Sequence, residues 1–182
     1  AANGNDTVFF GENFPKSKIY SLEPMSSLYE VTFEKIQKFE NIKLFKFAFS
    51  HFDGKLELNL AENENKPWGS SSLLKPKLHL EIHPGIKFKS KEIVEVVKLD
   101  TFLAMNQITS INLLWLDLQG VEPDVLMASS NLSKIEFIYS EVSVLENYEN
   151  QILYKDYKKF MIENGFTVHF EDIRWEDGGN VL

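Results

Sequence analysis

The chain has 182 residues, enough for one domain with a substantial buried core. Its 43% hydrophobic and 25% charged residues are ordinary for a globular protein. A net charge of −8 excludes a general binder of nucleic acid or anionic membrane, since no cationic surface attracts phosphate and no basic cluster restores one locally. With no cysteine there is no disulfide framework, thiolate metal site or cysteine nucleophile. That fits a reducing, cytoplasmic compartment, and the chain holds neither a signal-peptide pattern nor an apolar run of bilayer length.

Residues 1–7, Ala-Ala-Asn-Gly-Asn-Asp-Thr, are small and polar and lead into Val8-Phe9-Phe10. Gly4 allows backbone conformations and a close ligand approach that a side chain would block. Residues 18–23 read as a short strand ending in Glu23, followed by Pro24. Ser26 and Ser27 open a helix, with Ser27 and Glu30 spaced as a capping box and Tyr29, Phe33 and Ile36 as its buried stripe. Residues 42–49 are the next strand, and Asp53-Gly54 turns into residues 55–60, where Leu56, Leu58 and Leu60 alternate with polar residues. From Trp68-Gly69-Ser70-Ser71-Ser72 the sequence predicts a long irregular stretch to about Ser90, of the kind that carries function. His79 and His83 have the spacing of a helical metal pair, but Pro84 and Gly85 argue against a helix and no acidic cluster accompanies them.

Residues 92–99 are predicted as a strand and 100–106 as a short helix. The stretch 111–122, Ile-Asn-Leu-Leu-Trp-Leu-Asp-Leu-Gln-Gly-Val-Glu, organises the chain. Its apolar half suits a strand buried on both faces, as in the middle of a parallel sheet. Asp117, Gln119, Gly120 and Glu122 then form a polar turn, and Pro123 stands where a helix begins. Ligands of open α/β sheets bind at the carboxyl ends of such strands, so Asp117 is a candidate contact; helix capping is the plainer alternative. Residues 135–141 repeat the pattern and end in Glu141. Residues 151–164 form an amphipathic helix with Tyr157, Phe160 and Met161 inward and Gly165 as its cap. Residues 166–173 alternate as a strand, 175–180 make a turn, and Val181-Leu182 begin a final strand.

Three strands thus end in acids: Glu23, Asp117 and Glu141. An early acid-tipped strand beside a small-residue loop suits a nucleoside cofactor, whose ribose hydroxyls the carboxylate accepts. Dinucleotide and methyltransferase folds both use that arrangement, and Gly4 alone does not separate them. A nicotinamide dehydrogenase is disfavoured because no complete glycine fingerprint is present.

Tyr20-Ser-Leu-Glu-Pro24, Phe47-Ala-Phe-Ser-His-Phe-Asp-Gly54, Ser71-Ser-Leu73, Leu116-Asp-Leu-Gln-Gly-Val-Glu122, Tyr139-Ser-Glu-Val-Ser143 and Glu163-Asn-Gly-Phe166 follow one another in this chain. In that order they resemble the FkbM-type methyltransferases. The resemblance implies an α/β fold, the Rossmann-like class I methyltransferase sheet, mostly parallel with an antiparallel last strand. It implies a single domain over residues 1–182, the C-terminal part of a longer chain, because the family's first strand and leading Asp-x-Gly precede Ala1. It implies S-adenosylmethionine as cofactor and a hydroxyl of a sugar, glycan or other small molecule as acceptor, with glycosyltransferase domains as fused or associated partners. Carried onto this sequence, Ala1, Ala2, Asn3, Gly4 and Asn5 surround the methionine part and Glu23 holds the ribose with Pro24 and Met25 beside it. Phe49 and Ser50 lie near the adenine, and Asp117, Leu118 and Gln119 face the reacting centre. One departure is Trp115, where the family commonly has Lys, which weakens any mechanism needing a cation beside Asp117.

An alcohol attacking a methyl sulfonium must lose its proton. A positioned carboxylate serves as base, with Asp117 first, Glu141 second and His79 or His83 from the long loop. A divalent ion held by Asp117 and Glu141 is an alternative way to acidify the alcohol. Trp68 and Tyr148 are candidate sugar-stacking platforms, and Ser71, Ser72 and Glu122 complete the expected acceptor contacts. A non-catalytic module of the same fold inside a glycan-processing chain is the rival reading.

Overall fold

Two strand–helix–strand units carry the acid tips. In the first, β1 (Ile19–Leu22) leads through α2 (Ser26–Ile36) to β2 (Ile42–Phe45), which pairs with β1 in parallel. In the second, β7 (Ile111–Leu116) leads through α5 (Glu122–Met127) to β8 (Ile135–Ser140), again in parallel. A parallel return needs such a crossover, and Pro123 in the first turn of α5 costs no helix bond there. The computed structural model describes residues 2–175 and 179–181. Expectations that fall on Ala1, on residues 176–178 of the final turn and on Leu182 lie outside those residues.

Between the units, β4 (Gly54–Asn63) and β6 (Ile86–Val97) form a long antiparallel pair with a bulge at Leu60/Ala61. It is flanked by β3 (Ala48–Phe49) and β5 (Lys66–Pro67). At the chain's far end, β11 (Asn180–Val181) lies antiparallel between β9 (Val142–Ser143) and β10 (Ile173–Arg174). The described residues therefore make a mixed α/β fold of four small sheets, parallel and antiparallel. The remaining helices are α1 (Asn5–Asn13), α3 (His79–Ile82), α4 (Leu99–Met105) and α6 (Tyr154–Glu163). As the sequence predicts, α6 ends at Gly165, whose φ of 89° lets the Gly165 and Phe166 amides bond back to Ile162 and Met161.

Several expectations change. The buried stripe of α2 is Leu28, Thr32 and Ile36, not Tyr29 and Phe33, whose rings stack at 6.4 Å on the outer side. The capping box does not form, because Glu92 of β6 reaches the helix start and accepts from the Ser26 amide and hydroxyl. The strand expected at 92–99 begins already at Ile86, and His79–Ile82 is a single helical turn rather than irregular chain. Of the strand predicted over 166–173, residues 166–172 pair with nothing described. Strand β7 is buried on one face alone: Leu114 and Leu116 point inward, whereas Leu113 and Trp115 are 45% and 44% exposed. The open face is covered in part by Phe10 of α1, edge-on to Trp115 at 5.4 Å, and Trp115 stacks on Tyr139 at 4.0 Å.

The larger core cluster joins Leu116, Val125, Leu126, Phe102, Tyr157 and Met161; a smaller one joins Met25, Leu28, Leu58, Val94 and Val96. Packing of α5 against β7 sets where the turn after β7 points. Leu126 is fully buried, so Leu126→Ala should lower unfolding free energy by about 2–5 kcal/mol in denaturant titration. A loss below about 1 kcal/mol would mean that α5 is not anchored as described.

Candidate functional site

The turn after β7 is built around a buried acid. The Glu122 side chain is 1% exposed and accepts the amides of Leu118 and Gly120 (3.0 Å for the latter). Burial is the largest influence on its carboxyl and pushes it from 4.5 up to about 8, with Asp117 and Glu141 adding repulsion against the lowering effect of the Glu122 and Leu118 amides. The pull of Glu122 bends the chain so that Gln119 and Gly120 take positive φ, 57° and 104°. A Cβ on Gly120 would meet the Tyr148 ring at 3.1 Å, so a glycine is required there.

That bend aims the functional side chains. Gln119 Nε2 donates to Asp117 Oδ1 at 2.5 Å, and Gln119 Oε1 accepts from the Tyr148 hydroxyl at 2.8 Å. The Ser72 hydroxyl donates to the Gln119 carbonyl at 2.6 Å. Asp117 keeps contact with solvent at the mouth of the site, yet the protein around it desolvates its carboxyl and raises it from its ordinary value. Glu141, at the end of the neighbouring strand β8, accepts from Asn180 Nδ2 at 2.6 Å; Asn180 is held in turn by Ser143 and Asn147.

These groups border a cavity of about 420 Å³, onto which His79, Gln119, Glu122, Glu141 and Tyr148 all open. Asp117 is not in its wall but is tied to it through Gln119. Arg174, Asn147, Gln151 and Asn180 also line it. The sequence points to Asn180 only through the family resemblance of the chain's end near it, and offers no signal for the other three beyond their places in polar loops and a two-residue strand. A groove of about 430 Å³ between α1 and α2, lined by Glu12, Lys35 and Lys38, is open to solvent and away from the acid tips.

The second acid tip lies beside the N-terminal loop. Glu23 is 5% exposed, its carboxyl is raised by burial against hydrogen bonds from the Met25 and Ala2 backbone, and Oε1 accepts the Met25 amide at 3.0 Å. The Ala2 carbonyl accepts from Thr32 and the Asn3 carbonyl from Lys35; Gly4, at φ 79°, sits so close to Thr32 that an added Cβ would stand 3.0 Å away. Asn5 begins α1 and accepts from Lys35. The next residue, Asp6, is near enough to raise the Asp117 carboxyl, and a Cβ added at Gly69 would stand 3.6 Å from the Ala2 Cβ. The segment 2–6 thus bonds to the acid tip of β1 through Ala2 and comes within electrostatic reach of the acid tip of β7 through Asp6.

The surroundings of the other expected contacts vary. Phe49 is in the core, edge-on to Phe102 at 5.4 Å, with Ser50 buried beside it and bonded to Val97. Met25 belongs to the smaller core cluster, and Pro24 is half-buried between it and Glu23. Leu118 packs on the larger core. Trp68 is 46% exposed and outside the cavity wall, and Ser71 is spent on the Ala61 amide and the Trp68 carbonyl. Tyr148 is buried and its hydroxyl is occupied by Gln119 and Ser70. Among the described residues no group of three or more His, Asp or Glu fits a metal ion. The Asp117–Glu141 pair also has amide partners on both carboxylates, an arrangement that does not suit a shared metal ion.

Residues 1–168 match the family model of the methyltransferase FkbM domain. The chain belongs to that family. It is 30% identical over 154 residues, 82% of its own length, to a 2-O-methyltransferase, NoeI, of Sinorhizobium fredii. It spans 63% of that relative. No solved structure gives a significant match. No helix among the described residues is long and apolar enough to cross a membrane. The family implies S-adenosylmethionine, and the residues fit a nucleoside sulfonium: a buried acid, Glu23, beside a side-chain-free turn at Gly4, within a rim of carboxylates that favours a cation.

The raised Glu122 carboxyl has a consequence for stability. Folded protein keeps this proton where unfolded chain has released it, so stability is greatest below pH 4.5 for this group and falls as pH rises toward about 8. The expected slope in that window is up to about 1.4 kcal/mol per pH unit, with Glu23 and Asp117, also raised, acting in the same direction. Chemical denaturation at a series of pH values should show it, and Glu122→Gln should flatten the slope. An unchanged slope in that variant would reassign it to other groups.

Proposed function

We propose that this protein is an S-adenosylmethionine-dependent O-methyltransferase that acts on a hydroxyl of a sugar or glycan, within a Rossmann-like class I methyltransferase domain over residues 1–182. The observation that supports the reading is that one N-terminal segment reaches both acid tips, the Ala2 backbone bonding Glu23 and Asp6 lying within electrostatic reach of Asp117, whose partner Gln119 lines the cavity beside Glu141. Membership in the methyltransferase family and the 2-O-methyltransferase relative support it.

S-adenosylmethionine, when bound, supplies a methyl group on a sulfonium, open to in-line displacement. Glu23 accepts the ribose hydroxyls, and the 2–5 loop with Pro24 and Met25 encloses the rest of the nucleoside, Phe49 and Ser50 backing the adenine side. Asp117 takes the acceptor proton: its carboxyl is raised by desolvation toward the range where a base works, and Gln119 fixes its orientation. Glu141 is the second candidate base, held by Asn180. The polar cavity walls suit a hydroxylated acceptor, which glycosyltransferase domains in the same chain or beside it would supply. Positioning the oxygen against the methyl carbon is the larger part of the rate gain.

Asp117→Asn should reduce methyl transfer to a screen of unmethylated glycans by about 10²–10⁴-fold, with S-adenosylmethionine affinity by calorimetry within a few-fold of the native protein. Full activity in that variant refutes the assignment of the base. Cofactor binding without transfer to any acceptor would favour the non-catalytic module.

A further inference from the structure

His79 has an environment that its expected role as a base does not explain. Its side chain is 6% exposed and is clasped by the rings of His83, Phe88 and Tyr148, with centroids at 4.8, 5.6 and 5.4 Å. Its backbone is fixed at both ends, the His79 amide on the Asn147 carbonyl and the His83 amide on the His79 carbonyl. Nδ1 is sealed from solvent and has no hydrogen-bond partner among the described residues. Nε2 is the nitrogen left for the cavity that the residue lines with His83, Glu141 and Asn147.

A buried N–H without an acceptor costs about 1–3 kcal/mol and is rarer in proteins than a bare lone pair. The imidazolium would carry that orphan N–H on Nδ1 together with a desolvated charge, and the Nδ1–H tautomer would carry the orphan alone. The one state free of both keeps Nδ1 bare and the proton on Nε2. Taking the cavity as the acceptor site proposed above, we infer that His79 is a neutral Nε2–H donor that reads an oxygen of the acceptor and rejects an ammonium in that place. Burial, with His83 next, also pushes its pKa down to about 4, so the neutral form persists across the working range. An Nε2 that already holds its proton does not take one from an alcohol. His79 is therefore a specificity residue, and proton removal stays with the carboxylates. A hydroxyl or ring oxygen offers the lone pair that this donor needs; a protonated amine offers none.

Nitrogen-15 labelling of the histidines in the full chain, read by long-range proton–nitrogen correlation, tests the state directly. The expected result is a neutral Nε2–H His79 that does not titrate between pH 5.5 and 8.5. An Nδ1–H tautomer, or titration in that range, overturns the inference. Calorimetry with S-adenosylhomocysteine present then compares methyl hexopyranosides with matched aminohexopyranosides. His79→Leu should weaken the hydroxyl sugars roughly 10- to 100-fold and leave S-adenosylhomocysteine binding unchanged, and His79→Gln, which keeps a donor, should recover part of the loss. Native affinity for hydroxyl sugars retained in His79→Leu overturns the inference. A native protein that binds none of these sugars overturns the proposed function and the oxygen-bearing ligand with it, while the tautomer signal still reports separately on His79.

Discussion

The site depends on one buried carboxyl group. Glu122 has no solvent to fall back on, so the Leu118 and Gly120 amides that it accepts are indispensable to it, and it to them. Those two bonds force the left-handed backbone at Gln119 and Gly120, which costs energy that a looser turn would not. The return is geometric. Gln119 presents one face of its amide to Asp117, the other to Tyr148, and its carbonyl to Ser72. Without the Glu122 clasp, the loop at 70–72 and the Tyr148 segment lose the point on which they meet.

Two halves of the site follow from this arrangement. On one side the N-terminal loop lies over the Glu23 tip; on the other, the cavity is walled by groups that donate or accept hydrogen bonds without net positive charge, apart from Arg174. Desolvation raises Glu23 and Glu122, both buried, and the protein around solvent-contacting Asp117 raises that carboxyl too. Such a rim favours a cationic cofactor and a neutral acceptor over an anionic one. Glu141, which adds to the repulsion on Glu122, is bonded by Asn180, itself locked by Ser143 and Asn147.

The parts legible in the sequence are those that local physics encodes. Strands β1, β7 and β8 showed as apolar runs ending in acids, α5 as a proline-opened helix and the end of α6 as a glycine. The buried stripe of α2 is hidden in the sequence because two large rings, Tyr29 and Phe33, outweigh the smaller Thr32, which the fold buries under the N-terminal loop. The helix start was misjudged because its cap, Glu92, lies 66 residues away. The early part of β6, polar on alternate residues, looked like loop until its pairing with β4 supplied hydrogen bonds along its length.

By itself the sequence determined the types of the elements that carry the acid tips, the three tips and the family, all of which rest on neighbours within a few residues or on motifs in fixed order. Tertiary structure alone decided what those tips touch. Ser72 reaches Gln119 across 47 residues, Tyr148 reaches Ser70 across 78, and Asn180 reaches Glu141 across 39. No periodicity records such pairings, and so the burial of Glu122, the silent nitrogen of His79 and the open face of β7 became visible when the chain was packed.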